Sequence, residues 1–545
     1  MNSSKLNIQI LYNGRIHTMD ASRPLETAMA IMQSLEPVRL GGQVLALGDD
    51  QAILREFGDS AARRVDLQGR SVVPGLTDAH IHLEQYARGL SKVDCETPTK
   101  EVCLQRVAQR ARETPPGEWV HGHGWAQAEW PEGFGTAAEL DAAAPDNPVY
   151  LTAKSLHAAW ANTAALQLAG INADTPDPKG GELQRDARGH PTGILLELAM
   201  NLVSSVLPKP DAESSAEAIK AAQAALWKMG LTGVHDFDRQ RCFSALQSLH
   251  LAGELKLRVH KNLPVEALDQ IIDTGLRSGF GDDILWIGGI KAFSDGALGP
   301  KTAAMLEPYQ DDPGNTGILL LDREEIFEYG QKATAHGLSL TVHAIGDRAN
   351  HEVIAAYEQI REFENKAGLP PRRHRIEHVQ IIHPDDVLRL AEARAIASMQ
   401  PIHATSDMIA AENSWGDRSA GAYAWQTLRE KGVYLTFGSD APVDSPNPFW
   451  GIHAAVTRRR HDGSPGEQGW YPDQRLGILS AIKGFTTAPA YTAGKEARLG
   501  QLSPGYLADF LILEEDPVSM DASELWKIEP LATVIGGEWV YSNLE

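Results

Sequence analysis

The run Val72–His82 reads as an apolar strand that ends in His80-Ile81-His82. In an extended strand, residues i and i+2 share a face, so both imidazoles address one point. Imidazole is a common ligand of zinc and related divalent metals. Asp78, two residues earlier, is spaced to support such a site as a hydrogen-bond acceptor. Three more strand-like segments end in the same kind of side chain: His343 in Thr341-Val342-His343-Ala344, His378 in Arg375-Ile376-Glu377-His378, and Asp440 in Gly438-Ser439-Asp440-Ala441-Pro442. Alone, each is more often a core or loop residue. Together they converge on one mouth if their strands close into a parallel barrel.

The elements needed to position them are legible. Strand-like and helix-like segments alternate through the middle of the chain, as parallel α/β folds require. The strands are Ser71–Asp78, Gly233–Phe237, Lys256–Asn262, Ile284–Phe293, Ser339–His343, Arg375–Gln380, Ala395–Met399 and Val433–Gly438. The helices include Ala216–Met229, with Ser215 as its N-cap, then Glu324–His336, His351–Ala367 and Pro384–Ala393. About 150 residues separate the first two strands, where about 30 suffice for a βα unit. An insertion over about 84–209 follows. Both termini are rich in short strands and turns, such as Asn13-Gly14 and Gly536-Gly537, which implies that they pair into one small β domain. The expected fold is therefore an α/β (β/α)₈ TIM barrel over 71–489, interrupted by the insertion. A β-sandwich-like domain is built from 1–70 and 490–545.

Composition narrows the function classes. With 50 basic and 72 acidic residues, the 545-residue chain carries a formal charge of −22. Such a surface repels phosphate backbones and argues against nucleic acid as a partner. Three cysteines do not form a disulfide framework. No secretory leader and no apolar stretch of membrane-spanning length is evident. The expectation is a cytoplasmic enzyme acting on a small molecule.

These motifs resemble the amidohydrolase superfamily, and within it the YtcJ-like branch that includes N-substituted formamide deformylases. The resemblance rests on Pro74–His82, Lys291–Gly299, His343–Asp347 and Gly438–Pro442, and on Ser155–Asn162 and Pro191–Leu195. It implies that His80, His82 and Asp440 hold one metal, that His343 and His378 hold a second, and that Lys291 joins them. There Lys291 is carboxylated by CO₂ to a carbamate. A single metal beside an unmodified, substrate-binding lysine is the alternative. The implied cofactors are two divalent metals per chain, zinc by donor type, plus CO₂. The implied reaction is cleavage of an amide or formamide C–N bond by a metal-activated hydroxide, with Asp440 as general base and then acid. A homodimer is implied at the same level.

Three rivals stay open. A mononuclear deaminase on this fold does not need Lys291. Ester or lactone hydrolysis uses the same attack. A non-catalytic metal-binding barrel with a regulatory role predicts a missing ligand. Weaker candidates lie around the mouth. Trp125, His157, Trp160 and Asn162 either line a substrate pocket or build the insertion's own core. Asp295 contacts substrate or fixes a loop. His403 either donates to the carbonyl oxygen in the transition state or is a solvated loop residue. The second His-x-His, His121-Gly122-His123, lacks the barrel-strand context.

Overall fold

The computed structural model describes residues 7–33, 40–126, 130–153 and 158–544. The chain folds into two compact units, Met1–Tyr86 with Ser215–Glu545, and Ala87–Ser214.

The first unit contains eight parallel strands hydrogen-bonded in chain order. They are β1 (Leu76–Ile81), β2 (Leu231–Asp236), β3 (Arg258–Pro264), β4 (Leu285–Phe293), β5 (Leu340–Ala344), β6 (Arg375–His378), β7 (Ile396–Met399) and β8 (Tyr434–Phe437). A parallel bridge between Ile81 and Ala441 brings the last strand's end back to the first, and the Asp440 amide donates to the His80 carbonyl at 2.7 Å. The eight expected strands are all present, a TIM-like α/β arrangement. One boundary is corrected. The run Ser71–Asp78 is two strands, because Ser71–Pro74 belongs to another sheet and the barrel strand starts only at Leu76. Gly75 makes the crossing. A Cβ there would sit 2.3 Å from the Thr232 hydroxyl, so only glycine lets β1 pass β2 so closely.

Helices cover the strands. Arg323–Ala335 opens with a reciprocal capping box between Asp322 and Glu325, and Pro384–Glu392 starts with proline in its first turn. Asp347–Ala367 ends at Gly368, whose φ of 63° is the left-handed conformation helix ends favour. Another helix spans Ala212–Lys228, so Ser215 lies inside it rather than capping it. Its hydroxyl donates to Glu84 instead.

The termini contribute two more sheets. One has four strands from Ile8 to Asp66. The other has six, mixing Arg15–His17, Leu25–Glu26 and Ser71–Pro74 with Phe510–Leu513, Pro530–Ile535 and Glu538–Ser542. They share an apolar cluster that includes Leu11, Val44, Phe510 and Val534.

The Ala87–Ser214 unit has its own six-stranded sheet and its own core. Trp125 and Trp160 are fully buried there, packed with Trp130 and Phe134 in edge and stacked contacts. Their indole N–H groups donate to the carbonyls of Leu151 and Thr136. Asn162 is buried too, and its amide accepts from Val149 and Ala165 to cap the helix Thr163–Leu168. All three lie in the unit's own core, where each indole N–H or amide oxygen has its hydrogen bond. His157 lies outside the described residues. No helix among the described residues is long and apolar enough to cross a membrane.

Candidate metal centre

The ends of β1, β4, β5, β6 and β8 deliver six side chains to one place. His80 and His82 turn their Nε2 atoms toward one oxygen of Asp440, at 3.4 and 3.5 Å. The rings of His80 and His378 lie 4.9 Å apart, and those of His343 and His378 lie 4.5 Å apart. His80, His378 and Asp440 each present a ligand atom within 4.8 Å of the other two. Lys291 projects from β4 with its Nζ 4.8 Å from the rings of both Phe237 and Phe293.

Local backbone distortion makes the convergence possible. On a regular β6, His378 faces away from its neighbour Glu377. His378 and Val379 instead adopt φ values of 79° and 44°, which swing the imidazole inward. Asp440 has φ 59°. Left-handed backbone at non-glycine residues costs of order 1–3 kcal/mol each and clusters at functional sites. Gly438 leaves the space this needs, since a Cβ there would fall 2.4 Å from the His80 amide nitrogen.

Each histidine has one nitrogen fixed by a partner. His80 Nδ1 meets Glu377 at 2.6 Å, His82 Nδ1 meets Asp238 at 3.2 Å, His378 Nδ1 meets Gln400 at 2.9 Å, and His343 Nε2 meets the Gly296 carbonyl at 2.8 Å. Such partners orient imidazoles for ligation. Asp78 accepts from the His80 amide and the Ser439 amide and hydroxyl, tying the ends of β1 and β8 together.

The protonation states suit cation binding. Burial, with Lys291 nearby, pushes the His80 pKa down to about 4 and that of His343 to about 3, and burial holds His378 well below its usual value. Burial opposes ionisation of Asp440, but His80 and His403 outweigh it and hold the carboxyl well below the carboxylate range. Burial, with a smaller push from Arg375, outweighs Glu377 and Asp440 and drives Lys291 down to about 8, and its Nζ has no hydrogen-bond partner among the described residues. Neutral imidazoles, an ionised carboxylate and an unpartnered buried amine form a donor set that fits divalent cations.

The buried histidines also predict how the metal-free protein answers acid. Their folded pKa values lie below the unfolded value of about 6.5, so the unfolded chain binds more protons. The contribution of these histidines is full above pH 6.5 and falls as the pH drops toward the folded values of about 4 and 3, whereas the raised carboxyl of Asp295 contributes in the opposite sense over that range. Burial gives His260, away from the centre, the same depression to about 3. Urea midpoints of chelator-treated protein are expected to decline steadily from pH 6.5 to 4. A flat profile over that range contradicts the neutral-imidazole assignment.

The family model described as Amidohydrolase family matches residues 63–541. The chain belongs to the amidohydrolase family. It is 34% identical to YtcJ of Bacillus subtilis (strain 168) over 512 residues, covering 92% of this chain and 95% of that one. It is 29% identical to an N-substituted formamide deformylase of Arthrobacter pascens, covering 98% of each. Among solved structures, an uncharacterised metal-dependent hydrolase from Pyrococcus furiosus superposes with a TM-score of 0.76 at 29% identity, over 94% of this chain and all of that one.

As an amidohydrolase, the protein holds two of the weaker candidates at the centre. Asp295 is buried, and its carboxylate accepts from the amides of Ala304, Ile345 and Gly346. Burial raises its pKa to about 7. It ties the loop at Ala304 to the loop at Ile345 and Gly346. His403 is buried, not solvated. Its Nδ1 meets Asp444 at 2.7 Å and its Nε2 faces the second oxygen of Asp440 at 3.6 Å. Burial opposes its charge, but the two carboxylates win and push its pKa up to about 10. His121 and His123 lie on the strand Val120–Trp125 of the other unit.

The sequence reading missed the residues behind the histidines: Glu377, Arg375, Asp238, Gln400 and Asp444. One signal was available. Arg375-Ile376-Glu377 places two charges on one face of a barrel strand, where branched apolar side chains are the rule. A second buried acidic group, Glu84, Asp238 and Cys242, is already served by cations: Arg241 binds Glu84, and Lys261 pairs with Asp236 at 2.6 Å and reaches the Asp238 carbonyl.

Proposed function

We propose that this amidohydrolase cleaves a carbon–nitrogen bond of the amide or formamide type in a small molecule. In this reading His80, His82, His343, His378, Asp440 and a carbamate on Lys291 would hold two divalent metals, zinc by donor type. The carrying observation is the convergence of four oriented imidazoles, three of them held neutral by burial and the fourth, His82, raised against its burial by Asp238 and Asp440, with one ionised aspartate beside a buried amine that has no hydrogen-bond partner among the described residues. Lys291 with its pKa near 8 has a neutral fraction at physiological pH. The neutral amine would add to CO₂, its lone pair forming the N–C bond as one C=O π pair moves onto oxygen, and its proton would pass to solvent.

When bound, paired divalent cations supply Lewis acidity that acidifies water and polarises the scissile carbonyl. Asp440 takes the proton of the attacking water and returns it to the departing nitrogen, which is too basic to leave unprotonated. His403, held protonated between Asp440 and Asp444, presents Nε2–H where charge develops on the carbonyl oxygen. Beside the centre a cleft of about 910 Å³, counted with its open mouth, is lined by Phe237, Pro264 and Phe293 as well as Arg239 and Glu266. Phe293 is 41% exposed. That lining favours an apolar substituent, in keeping with the deformylase relative. The reading also covers a cytoplasmic homodimer without nucleic-acid or membrane partners, and the two terminal sheets as one sandwich-like domain.

Elemental analysis of protein purified without chelator, with native intact mass, tests this reading. About two metals and the added mass of one CO₂ per chain are expected, followed by turnover of N-formyl or N-acyl amines. One metal without added mass returns Lys291 to an ordinary lysine and favours a mononuclear deaminase. No metal after reconstitution removes the hydrolytic mechanism.

A further inference from the structure

Glu377 and Arg375 lie two residues apart on β6 and so share a face. Both are almost wholly buried, at 0% and 2% exposure. One Glu377 oxygen accepts from His80 Nδ1 at 2.6 Å and from Arg375 Nη2 at 3.0 Å, and the other lies 2.7 Å from Arg375 Nε. The guanidinium is anchored in turn. It donates to the Ala79 carbonyl on β1 at 2.8 Å, to the Ser398 hydroxyl on β7 at 2.8 Å and to His235 Nδ1 on β2 at 3.0 Å. Three other strands therefore hold one arginine, and that arginine holds one carboxylate.

Phe237 completes the clamp by stacking on the His80 ring, with centroids 4.0 Å apart and planes 17° apart. The ring can neither tilt nor flip without losing either the stack or the carboxylate. A carboxylate at Nδ1 keeps the ring proton on that nitrogen. The lone pair then resides on Nε2, the atom that faces Asp440. His82 is held more loosely: its contact to Asp238 is 3.2 Å, and the same carboxylate serves the amides of Glu84 and Gln85.

We propose that Glu377, locked by Arg375, is a positioning residue that fixes the ring orientation and tautomer of His80 and so makes Nε2 a preset metal donor. Its metal consequence rests on the proposed function. Its tautomer consequence does not.

The test uses full-length protein with Glu377→Gln, and with the double variant Arg375→Met/Glu377→Met. The double variant removes both charges, leaves neither ion unpaired, and so keeps a folded comparison if the single variant misfolds. Two readouts are taken. Nitrogen-15 histidine spectra of metal-free protein, with the His80 signals assigned by their loss in His80→Asn, report which ring nitrogen carries the proton. Competition with a chelating dye reports zinc affinity. Wild-type His80 is expected to carry its proton on Nδ1. The folded variants are expected to lose that preference and to bind zinc about 10–100-fold more weakly. Wild-type His80 protonated on Nε2, or folded variants with unchanged tautomer and unchanged zinc affinity, overturns the proposal. If wild type binds no zinc, the hydrolase reading falls, and the tautomer result still decides the role of Glu377.

Discussion

Asp440→Asn is expected to lower kcat about 10³–10⁴-fold on any N-formyl or N-acyl amine the enzyme turns over, at the upper end of what one general base and acid contributes. Asparagine is the informative replacement because Asp440 sits at φ 59°. Asparagine tolerates that left-handed conformation, whereas alanine adds strain. The amide keeps the size and one acceptor oxygen of the carboxylate, so contacts to His80 and His82 persist. It can neither take a proton from water nor deliver one to a leaving nitrogen. It also withdraws the negative charge facing His403, which leaves Asp444 as that imidazole's carboxylate partner. Steady-state kinetics with metal counts on the same preparation separate the effects. A variant that retains its metals but loses turnover, with KM little changed, places Asp440 in proton transfer. Turnover within tenfold of wild type at full metal loading removes Asp440 from that role.

Asp440 was legible because it ends a strand-like run in a motif of its own, and the same holds for the four histidines. Signals of that kind depend on local pattern: an apolar period, a break, and a polar residue at the break. The eight barrel strands were readable for the same reason. The boundary at Gly75 was not, although Pro74-Gly75 interrupts Ser71–Ile81, because extended segments lie on both sides of it and it is the close approach of Thr232 that shows one sheet handing over to the next. The tryptophans of the 87–214 unit were ambiguous by their nature. A large aromatic suits a pocket wall and a core equally well, and what separates the two is whether its N–H is already bonded indoors. Glu377, Asp238 and Asp444 were invisible for a third reason. Each gains its role from a partner 297, 156 or 41 positions away. No spacing within a strand encodes such a distance.

Arg258→Met is expected to destabilise the fold by about 3–5 kcal/mol, because it leaves a buried carboxylate without its cation. Arg258 begins β3, at the end of the barrel opposite the metal centre. Its Nη2 reaches Asp509 at 2.8 Å and the Leu40 carbonyl at 2.9 Å, its Nη1 reaches the Asp283 carbonyl at 2.7 Å, and its Nε pairs with the other Asp509 oxygen. Both side chains are nearly inaccessible, at 2% and 7%. This one guanidinium thus links the barrel to the N-terminal and C-terminal strands at once. Methionine fills much of the volume but satisfies none of those acceptors, and Asp509 keeps the Gly536 amide as its remaining donor. Urea unfolding should show the loss as a lower midpoint, and adding Asp509→Asn should recover part of it by removing the orphaned charge. A single variant within about 1 kcal/mol of wild type contradicts the assignment, since buried pairs broken on one side cost more than that. Metal content of the folded variant should be unchanged. In barrels of this kind the C-terminal ends of the strands carry the chemistry and the N-terminal ends carry the stability, and Arg258 and Asp440 sit on opposite sides of that division.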